Sequence, residues 1–337
     1  MKISILATKE VMTSSLTGPL DVFSSAGNFW NRIKQQEPTP LFEVEIVAAS
    51  AAPIQCFNWV TIQPHRAIES VAQTDLVYIP SLALPLNGLK PQSPAVLNWL
   101  RQMYQQGATL AGSCTGVFLL AEAGLLENRE AITHWAYQDT FQARYPLTLL
   151  EQEKVVIEQD RIICSAGGTS WHDLVLYIIE KFHGKEVALQ CAKTFMLQWH
   201  QDGQLPFSAF QLQKGHGDAA ILAAQNWIEE HFIESDLITR CAEHIGMPLR
   251  TFKRRFKNAT GYSPINYIQY TRIEQAKRAL EMGNQTIEEI SFSVGYDDSS
   301  FFRRLFKRHT GLPPNDYRRR FLHITPKSEE EPERQAS

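Results

Sequence analysis

The chain has 337 residues, 44% hydrophobic and 20% charged, with a formal net charge of −3; this length exceeds the usual single core and predicts two domains. No apolar run reaches the ~20 residues of a membrane-spanning helix, and the N-terminus lacks the apolar core and cleavage site of a secretory signal, so a cytoplasmic protein with no membrane partner is expected. Cys56, Cys114, Cys164, Cys191 and Cys241 are odd in number, scattered and free of CxxC pairing, which argues against a disulfide framework or a zinc site; no cofactor or metal is expected.

From residue 1 to about 200, short apolar runs alternate with amphipathic stretches. ISILA at 3–7 precedes 19–30, FEVEIVAA at 42–49 precedes 65–71, LVYIP at 76–80 precedes 94–106, and ATLAG at 108–112 precedes 115–124. Residues 155–157 and 161–164 read as a hairpin turning at Gln159-Asp160, with helices following over 169–182 and 185–198. This alternation predicts an α/β domain over 1–200, flavodoxin-like, with a mainly parallel sheet and helices on both faces. The polar, Gly-containing stretch 201–217 reads as a linker, 218–321 as an all-α domain, and the acidic, anchorless 322–337 as a disordered tail.

The net charge hides an asymmetry. Lys+Arg against Asp+Glu gives 15 − 19 over 1–215, 16 − 13 over 216–323 and 2 − 4 over 324–337, so only the middle segment is basic, and an anionic partner would bind there.

That segment contains an internal repeat. IGMPLRTFKRRFKNATGYSP aligns with VGYDDSSFFRRLFKRHTGLPP: Phe252, Arg254, Phe256, Lys257, Thr260, Gly261 and Pro264 match Phe302, Arg304, Phe306, Lys307, Thr310, Gly311 and Pro314 at an offset of 50. Gly246 matches Gly295 at 49, so the second copy carries one extra residue in its turn. Each copy reads as helix, glycine turn and helix, over 237–245 and 248–259, then 287–294 and 297–309. In such a helix-turn-helix unit the second helix enters the DNA major groove. Phe252 and Phe256, like Phe302 and Phe306, fall on one inward stripe. Arg250, Lys253, Arg254 and Lys257 in the first copy, and Ser299, Ser300, Arg303, Arg304 and Lys307 in the second, remain for phosphates and base edges. A helix over 264–282, apolar along one face, would hold the two units about one turn of DNA apart, ~34 Å. One amphipathic basic helix is weak evidence for DNA binding, since a solvated face looks the same; two copies with matched positions are strong evidence.

Residues 218–321 closely resemble the AraC family of regulators, through AEHIGMPLRTFKRRFKNATGYSPINYI and ISFSVGYDDSSFFRRLFKRHTGLPPNDYRR. The resemblance puts base-reading positions on Arg250, Lys253 and Arg254, and on Ser299, Ser300 and Arg304. An arginine kept in both copies, Arg254 and Arg304, has a second reading as a structural ion-pair partner.

In the front domain, TLAGSCTGVFLLAEAGLL has the form strand, Gly112-Ser113-Cys114-Thr115-Gly116, helix. This G-x-C-x-G is the cysteine version of a nucleophile elbow. Its helix N-terminus is expected to depress the thiol pKa and expose the sulfur, making Cys114 more reactive than Cys56 or Cys191. A cysteine-dependent hydrolase or amidotransferase is therefore the rival to a binding pocket; a buried structural cysteine is the third reading.

The domain resembles the class I glutamine amidotransferase-like, PfpI-type superfamily through GPLDVFSSAG at 18–27, AGSCTGVFLLAEAGLL at 111–126, ITHW at 132–135 and SAGGTSWHDLVLYIIE at 165–180. Enzymes of that superfamily supply an acid near the N-terminus, where this chain has Ser15, and many place His after the cysteine, where it has Thr115. Asp21, the nearest acid, falls further along a helix, and His134 is the remaining candidate partner for Cys114, although His-Trp at the end of a strand reads equally as the wall of a ligand pocket. A thiolate without an acid or base partner cannot cycle protons, so no enzymatic activity is expected.

Together the halves resemble the GlxA-type subgroup of AraC regulators. This implies a transcription regulator that binds double-stranded promoter DNA, responds to a small, nitrogenous effector and forms a homodimer through its front domain; RNA polymerase would join these partners for an activator. The effector pocket is expected to be lined by Gly112, Ser113, Cys114, His134 and Trp135, with Trp171 or His172 from the next loop. Trp135 could offer a cation–π face to an amine or serve as ordinary core.

Overall fold

Lys2–Leu6 (β1) is buried at four consecutive positions, which requires a strand covered on both faces. The computed structural model describes residues 1–83, 93–210 and 214–322, and divides the chain into two compact units, Met1–Leu205 and Pro206–Ser337. Within the first unit β1 is followed by α1 (Thr13–Ser25), α2 (Phe29–Ile33), β2 (Glu43–Ala48), β3 (Arg66–Ala67), β4 (Leu76–Ile79), α3 (Pro94–Gln105), β5 (Thr109–Ser113), α4 (Val117–Glu122), α5 (Gln138–Arg144), β6 (Val156–Gln159), β7 (Ile162–Ser165), α6 (Trp171–His183) and α7 (Lys185–Phe195). These seven strands form one sheet in the order β6-β7-β5-β4-β1-β2-β3, parallel throughout except for the β6–β7 hairpin, and two short pairs, Ile54–Gln55 with Thr61–Ile62 and Glu130–Ala131 with Leu149–Leu150, stand apart from it. Helices α1, α6 and α7 pack on one another, as do α3 and α4, and the two groups sheathe the sheet. The mainly parallel α/β architecture is the one the alternating pattern predicts.

Three local expectations need correction. Residues 65–71 form no α-helix: the His65 N–H donates to the Ile46 carbonyl, the Ile46 N–H donates to His65 Nδ1, and Arg66–Ala67 pairs with the edge of β2 before one 3-10 turn, Ile68–Ser70. A free sheet edge outcompetes one turn of helix. Helix α1 begins at Thr13 rather than 19 and ends at Ser25 before Gly27, whose φ of +71 stops it; Pro19 therefore lies inside the helix and Ser15 becomes a buried helical residue. The hairpin turns at Asp160 and Arg161, both at positive φ, one residue later than expected.

The second unit is helical: α8 (Ala219–His231), α9 (Leu237–His244), α10 (Leu249–Thr260), α11 (Pro264–Met282), α12 (Ile287–Ser293), α13 (Ser299–Thr310) and α14 (Pro314–Phe321). It has two cores. Ile221, Ile228, Leu237, Cys241, Phe252 and Phe256 close on Tyr267 and Ile268 of α11, while Ile287, Ile290, Phe302, Phe306 and Tyr317 close on Ile273, Ala276 and Leu280 further along it. The long helix is thus the shared wall of two small bundles. The boundary at Leu205 falls within the stretch read as a linker, of which 211–213 lie outside the described residues; so does the expected tail beyond Leu322. Among the described residues no helix is long and apolar enough to cross a membrane.

Candidate DNA interface and elbow site

The sequence repeat is repeated geometry. Gly246 and Gly295 both sit in the left-handed region, at φ +64 and +85, and turn the chain between α9 and α10 and between α12 and α13. Gly261 and Gly311, at +79 and +75, end α10 and α13. At each end the preceding threonine does the same double work. Thr260 Oγ1 donates to the Phe256 carbonyl and accepts the Tyr262 N–H; Thr310 Oγ1 donates to the Phe306 carbonyl and accepts the Leu312 N–H. The cap positions, 50 residues apart, differ in chemistry: Asp298 accepts the N–H groups of Ser300 and Phe301, whereas α10 starts behind Pro248 without a side-chain cap.

With Phe252, Phe256, Phe302 and Phe306 fully buried, the lysines and arginines of α10 and α13 face outward. Arg250, Lys253, Arg254, Lys257, Ser300, Arg304 and Lys307 are exposed, and Ser299 and Arg303 half-buried. Arg303 is paired with Glu288 of α12 at 2.5 Å. On α10 the paired arginine is Arg255, which grips Asp218 with Nε at 2.6 Å and Nη2 at 2.9 Å, an arrangement that pulls the Asp218 carboxyl below its ordinary range. Neither Arg254 nor Arg304 takes part in a salt bridge among the described residues. Sequence reasoning missed Arg255, because its partner lies 37 residues away.

It also missed Arg272 of α11. Its guanidinium donates to the carbonyls of Phe232, Glu234 and Gly295 at 2.7–2.9 Å and lies over the Tyr296 ring, tying the segment after α8 to the turn of the second helix-turn-helix unit.

The elbow stands at the carboxyl end of β5. Cys114 has φ +57, rare for a residue with a Cβ, and the glycines permit the surrounding contacts. A Cβ on Gly116 would lie 2.4 Å from the Pro80 carbonyl oxygen, and one on Gly112 2.9 Å from Leu120 Cδ1. The cysteine is not exposed, however. Cys114 is 5% accessible, and burial pushes its thiol pKa up, against the opposing effects of the Ser81 hydroxyl, the Thr115 and Gly168 N–H groups and the Thr115 hydroxyl. The expectation of an exposed, acidified thiol is overturned. Cys114 opens a 3-10 turn, Cys114–Gly116, that leads into α4, and among the described residues no cation is one of the groups acting on the sulfur, so desolvation of the thiolate wins.

The two departures from the enzyme pattern have structural roles. Ser15 Oγ donates to the Met12 carbonyl at 2.8 Å, with the Ser81 carbonyl at 3.4 Å. Thr115 Oγ1 donates to the Leu82 carbonyl at 2.6 Å and accepts the Leu82 N–H at 2.7 Å, pinning the segment after β4 against the elbow. Asp21 is exposed. All five cysteines are buried, so Cys114 should alkylate no faster than Cys56 or Cys191 in the native protein. Timed iodoacetamide labelling with peptide mass analysis checks this; selective fast labelling of Cys114 would contradict the buried-thiol geometry.

His134 is brought to the elbow. Thr133 Oγ1 donates to the Cys114 carbonyl at 2.8 Å, and the His134 ring lies so close to Gly167 that a Cβ there would fall 1.8 Å from His134 Cδ2. Burial lowers the His134 pKa, and its Nδ1 accepts the Ala136 N–H at 3.0 Å. The ring of half-buried Trp135 lies 5.2 Å from that of His134, and the Trp135 backbone N–H donates to Gln204 Oε1. Trp171 instead fills the space above Gly18, where a Cβ would lie 2.4 Å from its ring, and His172 turns toward Asp173 and His200.

A seven-stranded α/β unit with an elbow, followed by duplicated helix-turn-helix geometry, defines a two-part transcription regulator of the AraC type. Residues 241–320 match the helix-turn-helix domain model and residues 1–181 the DJ-1/PfpI family model; the chain belongs to the DJ-1/PfpI family. It is 29% identical over 294 residues to the HTH-type transcriptional regulator CdhR of Pseudomonas aeruginosa, an alignment covering 85% of this chain and 84% of that protein. The HTH-type transcriptional regulator GlxA of Rhizobium meliloti is 24% identical over 222 residues, 66% of this chain and 68% of that one. Among solved structures, a Vibrio parahaemolyticus protein described as a transcriptional regulator superposes with a TM-score of 0.50 and 23% identity, over 59% of this chain and 99% of that one, a likeness of fold.

Proposed function

We propose that the chain is a sequence-specific DNA-binding regulator whose front unit senses a small metabolite, mediates homodimerisation and has no catalytic activity. One observation carries the DNA reading: two helices with the same buried phenylalanine stripe and the same glycine and threonine ends present basic, solvent-facing residues. Arg250, Lys253 and Arg254, with Ser299, Ser300 and Arg304, read bases; Lys257, Arg303 and Lys307 hold phosphates, Arg303 by exchanging Glu288 for a phosphate oxygen. Alanine at Arg250 or Lys253 is expected to cost roughly 1–3 kcal/mol on the cognate site and to relax preference at particular base pairs. Selection from a randomised duplex pool checks this, and an unchanged sequence preference in the double variant contradicts the assignment.

The absence of catalysis in this sensor unit is supported by a buried Cys114 with a raised pKa, a Ser15 that cannot transfer protons and a Thr115 committed to Leu82. Its ligand wall is Gly112, Ser113, Cys114, His134 and Trp135, and nitrogenous metabolites are the class to screen. The relatives' description as transcriptional regulators favours this over a hydrolase. Thermal stabilisation by an amine, amino acid or betaine without turnover is expected. An amidase or esterase rate abolished in Cys114→Ser would promote the enzyme reading instead.

A further inference from the structure

His172 and Asp173 stand in the first turn of α6, and His200 follows α7 in the same unit. One nitrogen or oxygen atom from each lies within 4.8 Å of those from the other two. Asp173 is 3% exposed and His172 9%. The carboxylate is held in place: its Oδ1 accepts the His200 backbone N–H at 2.8 Å and its Oδ2 lies 2.6 Å from His200 Nδ1. The two imidazole rings are 5.0 Å apart, and His172 Nδ1 is buried without a hydrogen-bond partner. Native interiors give buried polar atoms partners, so a cluster of two imidazoles and an acid with an unsatisfied ring nitrogen calls for a ligand.

We propose that His172, Asp173 and His200 form a binding site for a divalent transition cation of the zinc type. Two imidazole nitrogens and one carboxylate oxygen suit Zn²⁺, with water in the fourth position, whereas Mg²⁺ and Ca²⁺ favour oxygen ligands. Bonds of ~2.0–2.1 Å to a tetrahedral ion place the ligand atoms about 3.3 Å apart. Binding exchanges the His200–Asp173 hydrogen bond for two bonds to the ion, and rotation of the side chains closes the triangle. The ion joins the segment after α7 to the start of α6. Four residues on, Gln204 accepts the Trp135 backbone N–H and donates to the Thr133 carbonyl, and Thr133 Oγ1 donates to the Cys114 carbonyl. Metal occupancy therefore stiffens the wall of the elbow site. The proposal rests on residues separate from the recognition helices, so it and the DNA reading stand or fall independently.

The test uses the full chain, stripped with EDTA and titrated with Zn²⁺ against a chromogenic chelator. One ion per chain is expected, with affinity falling at least ~100-fold in His172→Gln and in His200→Gln. Circular dichroism verifies that each variant is folded, and His200→Gln, at the more exposed position, serves should His172→Gln misfold. With Co²⁺ as the probe, visible bands of nitrogen and oxygen ligation without thiolate charge transfer are expected, because the five cysteines take no part. Zn²⁺ affinity unchanged in folded His200→Gln, thiolate bands with Co²⁺, or no binding by the wild type at micromolar Zn²⁺ would each overturn the proposal.

Discussion

Replacing Gly295 by alanine is expected to destabilise the second unit by about 3 kcal/mol or more, whereas the same change at Gly246 costs only about 1 kcal/mol. Both glycines occupy the turn of a helix-turn-helix and both have positive φ, so each variant bears the left-handed penalty of a residue with a Cβ. They differ in what surrounds them. A Cβ on Gly295 would stand 2.6 Å from the Ile233 carbonyl oxygen and 3.0 Å from the Arg272 guanidinium, while Gly246 has nothing within 4 Å of the added atom. Backbone cannot yield as a flexible side chain can, and retreat of Arg272 would break its bond to the Gly295 carbonyl. Urea denaturation of the two variants measures the difference. Equal losses would mean that the turn conformation alone matters and that the packing described around Gly295 is wrong.

The second large effect falls on Arg272 itself. Arg272→Ala leaves the carbonyls of Phe232, Glu234 and Gly295 without their charged donor and uncovers one face of Tyr296. Charge-assisted bonds are worth about 1.5–3 kcal/mol each, but solvent reaches this half-buried site, so a total near 3 kcal/mol is expected. Arg272→Lys should recover only part of it, because an ammonium cannot reproduce a planar fork reaching three acceptors. DNA affinity should fall beyond the effect of partial unfolding, since the three bonds fix the second helix-turn-helix turn relative to α8. Wild-type stability in Arg272→Ala, measured by thermal and urea melts, would remove that role.

Local pattern carried much of the second unit. Phenylalanines four residues apart, a threonine before a glycine and a proline three residues later are features of neighbouring residues, and α9 to α13 follow them closely. Arg272 was invisible for the opposite reason: a charged residue in a helix looks like a solvated face until partners 23 to 40 residues away are known. In the first unit, strand-helix alternation revealed the sheet because each element buries its own apolar run. The start of α1 was hidden because TSSLTGP has few apolar residues; Ser15 and Thr17 bond back to carbonyls of the preceding turn, and Leu16 supplies the buried contact. The elbow was legible from its glycines, but the burial of Cys114 was not. Ser81, Leu82, Thr133 and Gly168 close around it from three other segments, and only tertiary structure determines whether a thiol is desolvated. His172 and His200, 28 residues apart, belong to no recognisable spacing motif and meet only through the packing of α6 and α7.

The most direct test is the salt dependence of DNA binding by the full chain, compared with a variant carrying alanine at Arg250, Lys253, Lys257, Arg304 and Lys307. Fluorescence anisotropy on a selected duplex should give, for the wild type, an affinity that falls ~10³-fold or more between about 50 and 200 mM salt, because each neutralised phosphate releases counterions. The folded variant should bind weakly with a much shallower slope. A wild-type affinity indifferent to salt, or a variant that keeps the wild-type affinity and slope, would contradict the assignment of α10 and α13 as the DNA-reading helices.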